Sequence, residues 1–145
     1  MSEQNKATAR RFYDEVFNRG DVSVIDQLCA ADFKDHTAMP GQAPGAQGLK
    51  QIMGAYFKAF PDMKVKVEEI IAEGDFVAAR FSGSATHNGE LFGTAPTGKR
   101  ITFNGIDFLR FKNGKVTDVW HQGDDVIALM QLGIKPPGMP SREAT

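Results

Sequence analysis

The chain has 145 residues, within the ~100–200 of a single domain, so one core and one site are expected. A balance of 17 Lys+Arg against 18 Asp+Glu leaves a net charge of -1, which offers no basic stripe for a nucleic-acid backbone, and 41% hydrophobic residues are enough for a packed core. No run approaches the ~18 apolar residues that cross a bilayer, and lone Cys29 with scattered His36, His87 and His121 fits no common zinc spacing, so no membrane insertion, disulfide or metal is expected. The polar opening Met1-Ser2-Glu3-Gln4-Asn5 lacks the layout of a signal peptide, and a reducing cytoplasm is the expected location.

In chain order, Ala9, Phe12, Tyr13, Val16 and Phe17 form one apolar helical stripe, which predicts a helix over about 3–18 stopped by Gly20. Asp21 then offers an N-cap to a short helix carrying Val24, Ile25, Leu28 and Cys29. The Pro- and Gly-dense stretch between Thr37 and Gly48 reads as a mobile loop beside His36. Leu49, Ile52, Met53, Tyr56, Phe57 and Phe60 repeat the helical stripe, and Pro61 ends it. The period then changes to two. Met63, Val65 and Val67 open a strand, Glu73-Gly74-Asp75 is a turn, Phe76 to His87 is β-prone, and Ile101–Phe111 and Val116–His121 flank an Asn113-Gly114 hairpin turn. A last apolar stretch, Val126 to Leu132, stops at Gly133, and a flexible tail is expected over 135–145. Helices first and strands second predict an α+β domain over 1–134: three N-terminal helices covering a curved antiparallel sheet, a short C-terminal helix, and a pocket enclosed between the layers.

Phe12-Tyr13, Phe17-Asn18-Arg19-Gly20-Asp21, Ala31-Asp32-Phe33 and Asp35-His36 resemble the opening of the NTF2-like superfamily of cone-shaped α+β domains. Gly93, Pro96-Thr97-Gly98-Lys99, Gly105-Ile106-Asp107, Arg110-Phe111, Asn113-Gly114-Lys115, Trp120, Asp124 and Gln131-Leu132-Gly133 resemble its SnoaL-like branch, the polyketide and ester cyclases, over about residues 5 to 134. The resemblance implies a cofactor-independent cyclase or isomerase that enolises a small apolar carbonyl compound and closes a ring by an intramolecular aldol step. It places the acid/base on the carboxylate four residues after the tryptophan, Asp124, which needs a poorly hydrated pocket to act near neutral pH. A helix cap is the plainer role for Asp124, with Asp125 as the alternative cap.

Tyr13 and Asp107 carry a second resemblance, to ketosteroid isomerase, which implies that both donate hydrogen bonds to an enolate oxygen, Asp107 as a protonated acid; the alternatives are a Tyr13 ring packed in the core and an Asp107 that accepts structural hydrogen bonds from the loops or from Arg80. The isomerase's base falls at about Thr37, which disfavours steroid isomerisation. His36, at the edge of the Pro/Gly loop, is a candidate for orienting a carbonyl or sharing a proton with Asp124, with a structural role as the alternative. By the period of two, Trp120 and His121 face opposite ways unless a bulge intervenes, for which Gly123 is the candidate; Trp120 is the favoured wall and His121 the weaker candidate. Phe57, Arg80 and Asn104 complete the substrate-binding candidates. The Tyr56-Phe57-Phe60 stripe also reads as core, and Arg80 needs Asp107, Asp62 or a substrate carboxylate if buried. His87 reads as a loop anchor, and Pro96-Thr97-Gly98-Lys99 as a turn that lacks the phosphate-loop frame.

Two further functions stand beside the cyclase. One is a non-catalytic module of the same fold that binds a small ligand or dimerises; the other is an epoxide hydrolase in which Arg80, Asp107 and Asp124 would hold a water. The expected partners are a small hydrophobic carbonyl compound and a second copy of the chain in a homodimer, with no cofactor and no nucleic acid.

Overall fold

A computed structural model describes residues 2–134; the expected tail, 135–145, lies outside the described residues. The first apolar stripe folds as α1 (Ser2–Arg11) and continues as a π-helical turn, Phe12–Phe17, in which the Asn18 N–H reaches back five residues to the Tyr13 carbonyl at 3.0 Å. Asn18 then mimics a strand against the sheet edge: its Nδ2 donates to the Val65 carbonyl at 2.9 Å and its Oδ1 accepts the Val65 N–H at 2.7 Å. This clamp fixes the height at which Tyr13 meets the sheet. After the short α2 (Val24–Leu28) the chain enters β1 (Cys29–Asp35), and α3 (Gly45–Ala59) follows the Pro/Gly segment.

The rest is sheet, closed by one short helix: β2 (Lys64–Glu73), β3 (Phe76–Thr86), β4 (Arg100–Lys112), β5 (Lys115–Gly123) and α4 (Asp125–Gln131). Gly74 (φ 57°) and the pair Asn113 (φ 52°) and Gly114 (φ 77°) supply the left-handed backbone of the two tight hairpins. Strand order is β1-β5-β4-β3-β2. The fold class is α+β, as expected, with four antiparallel strands. The difference is β1, a seven-residue edge strand that pairs parallel with β5 and interrupts the run of helices. Its sequence, Cys-Ala-Ala-Asp-Phe-Lys-Asp, buries only Cys29 and Phe33, too sparse an alternation to announce a strand.

Two bulges set which side chains enter the interior. On β2 the extra residue is Glu68, since Val67 pairs with Phe81 and Glu69 with Arg80. On β5 it is Thr117, since Arg110 pairs with Asp118 while Phe111 pairs with Val116. Each extra residue reverses the inward and outward parity beyond it.

Gly48 is required by a close approach: a Cβ there would lie 1.6 Å from the Ala43 carbonyl oxygen, whereas one at Gly54 in the same helix would meet nothing within 4 Å. Gly48→Ala is therefore expected to cost about 1–3 kcal/mol by overpacking, and Gly54→Ala to gain up to about 1 kcal/mol of helix propensity, both read from urea midpoints.

Candidate active site

Between the π-helical turn, α3, α4 and the inner face of the sheet lies a cavity of about 180 Å³. Its walls are apolar, with Phe12, Phe33, Met53, Phe60, Phe81 and Leu109 among them, and its polar groups are Tyr13, Asp35, Thr37, Gln42, Tyr56, Asp107 and His121. No Lys or Arg is among its described lining residues.

Asp107 sits on β4 at 7% exposure, and a carboxylate so placed needs donors on both oxygens. The Tyr13 hydroxyl donates to Oδ2 at 2.6 Å, and His121 Nδ1 meets Oδ1 at 2.6 Å. Burial first, then the facing Asp107 charge and this hydrogen bond, push the Tyr13 hydroxyl well above the ordinary tyrosine range, so it stays a phenol. His121 is seated by its register opposite Asp107, by Phe81, whose ring lies nearly parallel at 5.9 Å, and by Gly105, where a Cβ would stand 3.0 Å from the imidazole Cε1. Its backbone N–H donates to Thr37 Oγ1 at 2.8 Å, tying it to the cavity mouth. There Asp35 accepts from the Thr37 N–H (3.0 Å), the Thr37 hydroxyl (3.3 Å) and Gln42 Nε2 (3.1 Å). The segment expected to be a mobile loop is thus laced to the end of β1.

Of the predicted site residues, Tyr13, Asp107 and His121 converge here and the others do not. Tyr13 and Asp107 are not two donors aimed at one substrate oxygen, because the Tyr13 hydroxyl donates its hydrogen bond to Asp107. Asp124 lies outside the cavity at the N-cap position of α4 without a side-chain cap bond; its Oδ1 accepts the Asn104 N–H at 2.6 Å and its own N–H donates to the Asn104 carbonyl at 3.1 Å. Asp124 and Asn104 therefore lock β4 to the start of α4. Asn104 itself points outward in the alternation of β4. Trp120 and His121 exchange the roles expected for them, and the cause is the bulge at Thr117 rather than at Gly123: Val116 points in, and beyond the extra residue so do Val119 and His121. Trp120 stands on the outer face, its ring parallel to that of His36 at 4.4 Å and tilted against Phe108 at 5.9 Å.

His36 is also outside, with Nε2 2.7 Å from Asp118 Oδ1; that contact, with the Thr117 hydroxyl, holds Asp118 below the usual carboxylate range. Arg80 is exposed on the outer face and paired with Glu69 at 2.5 Å, because β3 turns Val77, Ala79 and Phe81 inward. The Arg80, Asp107 and Asp124 grouping for epoxide hydrolysis is not assembled. Phe57 packs on Phe17 at 6.4 Å, one residue around α3 from Tyr56, which does line the cavity. His87 anchors its loop as expected, Nδ1 accepting the Thr97 N–H at 3.1 Å. The residues not anticipated for the site are Asp35, Gln42 and the hydroxyl of Thr37, all at the end of the unpredicted β1 or just past it. No His/Cys/Asp/Glu group able to hold a metal occurs among the described residues.

With this geometry in place, likeness to known proteins becomes informative. The sequence profile of SnoaL-like polyketide cyclases matches residues 7–132. The chain belongs to that family. Among solved structures it is similar to AclR of Streptomyces galilaeus, a proposed hydroxylase (31% identity, 97% of this chain and 87% of that one, TM-score 0.80). It is similar also to a proposed polyketide cyclase of Bacillus cereus (34%, 90% and 80%, 0.76) and to IdmH of Streptomyces antibioticus, a proposed polyketide cyclase (31%, 90% and 99%, 0.75). Among curated protein sequences nothing matches.

Raised above its unfolded value of ~10, Tyr13 contributes stability that is complete below pH 10 and lost as pH climbs toward its folded value, since the unfolded chain ionises first. Tyr13→Phe is expected to flatten the fall of the urea midpoint above pH 10. The share from Cys29, whose thiol burial pushes up to about 12 from 9.0, should persist.

Proposed function

We propose that this SnoaL-like protein is a cofactor-independent carbonyl cyclase or isomerase in which His121, rather than Asp124, moves the proton. The single observation that supports this is the chain Tyr13, Asp107, His121 at the wall of an apolar cavity. Asp107 accepts a hydrogen bond from the Tyr13 hydroxyl on one oxygen and one from His121 Nδ1–H on the other, which selects the tautomer whose basic nitrogen is Nε2. Nε2 removes a proton from the carbon next to a substrate carbonyl. The C–H pair becomes the C=C bond of an enolate, and the carbonyl π pair moves onto oxygen. In the ring closure the enolate carbon attacks a second carbonyl of the same molecule, and the imidazolium returns its proton to the alkoxide so formed. Asp107 stabilises the imidazolium and orients the ring; Tyr13 positions Asp107.

The walls indicate the substrate class. A cavity of about 180 Å³ exceeds by little the ~150 Å³ that holds benzene, which fits one or two rings. Carboxylates at 35 and 107, with no cation among the described lining residues, disfavour an anion and favour a neutral ketone or ester. His121→Asn is expected to slow the exchange of the α C–H of α-tetralone for C–D by ~10²–10⁴-fold, whereas Asp124→Asn should stay within a few-fold of wild type, both followed by proton NMR in heavy water.

The outer sheet face supports a homodimer. Ile71, Ala78, Phe108 and Trp120 form one cross-strand row flanked by Ile106, and Ile71, Phe108 and Ile106 are 69%, 42% and 48% exposed. The Glu69–Arg80 pair on one side of the row and Arg110 with Asp118 on the other place both charge signs around it, a pattern complementary to a second copy of itself. Light scattering should give twice 15.9 kDa for the wild type and the single mass for Phe108→Glu, whose side chain does not reach the cavity.

A further inference from the structure

Enolisation needs a donor at the carbonyl oxygen, and the residues so far assigned supply none: the Tyr13 hydroxyl donates its hydrogen bond to Asp107. We propose that Gln42 is that donor, its side-chain amide receiving the substrate carbonyl oxygen at the cavity mouth; this rests on the proton-transfer reading above.

The orientation of the amide is set by its neighbours. The backbone N–H of Met39 donates to Oε1 at 3.1 Å, which only an oxygen can accept, so the other end is the NH₂ group. One of its two hydrogens goes to Asp35 Oδ2 at 3.1 Å, and Gln42 lines the cavity, which leaves the second as the donor offered to a ligand. An amide held at both ends is a preorganised dipole, needing no reorientation as negative charge develops on oxygen. Its seat is fixed from beneath, because Gly48 admits the Ala43 carbonyl against α3. It is also coupled to the base: Asp35 binds both Gln42 and Thr37, and Thr37 Oγ1 accepts the His121 N–H. Other hydroxyls serve less well. Thr37 Oγ1 already takes the His121 N–H and lies 3.3 Å from Asp35 Oδ1, and Tyr56, which lines the cavity from α3, is the competitor that the experiment must separate.

The experiment uses α-tetralone, a neutral bicyclic ketone with exchangeable α hydrogens, and reads its C=O stretch in the bound state together with kcat and KM for C–H to C–D exchange. The variants are Gln42→Glu, assayed at a pH high enough to ionise both its carboxyl and the adjacent Asp35 so that it keeps an acceptor for the Met39 N–H but no donor, and Gln42→Met, with Tyr56→Phe beside them. The expected result is a stretch lowered in the wild-type complex relative to apolar solvent, restored upward in both Gln42 variants and unchanged in Tyr56→Phe. The kcat should fall ~10²–10³-fold at a KM within a few-fold of wild type. An unshifted wild-type carbonyl, no complex up to millimolar tetralone, or a shift lost in Tyr56→Phe instead of the Gln42 variants overturns the assignment. The two readings fail separately: a shifted carbonyl without exchange keeps the donor and removes proton transfer, whereas full exchange in both Gln42 variants removes the donor and keeps proton transfer.

Discussion

A carboxylate buried against an apolar cavity is the constraint around which this molecule is arranged. Asp107 lies in the middle strand of five, where bare desolvation would be prohibitive. Its two donors come from elements far apart in sequence, Tyr13 from the π-helical turn and His121 from the neighbouring strand. Each brings its own supports. Tyr13 is at the right height because Asn18 hooks the end of the helix onto the backbone of Val65, and His121 faces inward because Thr117 is an extra residue. Satisfying one charge therefore links the docking of the first helix to the phase of the last strand, and leaves an imidazole oriented at the wall of an apolar cavity.

The two faces of the sheet carry opposite chemistry on alternating residues of the same strands. Inward from β4 come Ile101, Phe103, Asp107 and Leu109; outward come Thr102, Asn104, Ile106 and Phe108. The His36, Trp120 and Phe108 rings make a surface stack rather than a wall, and Asp124 with Asn104 is a splice between strand and helix. The solved structures similar to this chain include a proposed hydroxylase and proposed cyclases, so the fold by itself does not fix a chemistry and function has to be argued from the polar groups set into the walls.

Much of this was readable before any coordinates. The helical stripes and the turns at Gly74 and Asn113-Gly114 follow from strong, local signals, whereas the family, and Tyr13 and Asp107 as pocket candidates, come only through the resemblance of motifs in order. The misplaced strand residues share one physical origin: parity. Counting by two from Val116 puts Trp120 inside and His121 outside, and only the unpaired Thr117 reverses the count. A bulge leaves no compositional trace at a threonine, whereas the glycine that invited one, Gly123, simply pairs with Gly105. Arg80 misled for a related reason: apolar neighbours along a strand are not neighbours on its face. The mouth residues were hidden because β1 has too few apolar positions to look like a strand, and Gln42 draws its meaning wholly from hydrogen bonds to residues 35 and 39.

The parallel pairing of β1 with β5 bears on how the site comes into being. It joins Cys29 to Val116 and Asp35 to Val119, among the most distant partnerships along the chain, while β2–β3 and β4–β5 close over tight turns and β3–β4 over residues 87–99. Contacts that enclose long stretches of chain carry the greatest loop entropy and are disfavoured early in folding. The apolar bowl and the Asp107–His121 pair belong to the locally connected meander, but the rim of Asp35, Thr37 and Gln42 hangs from the late-closing edge. The polar rim of the cavity and the longest loop closure within the sheet thus coincide at one seam.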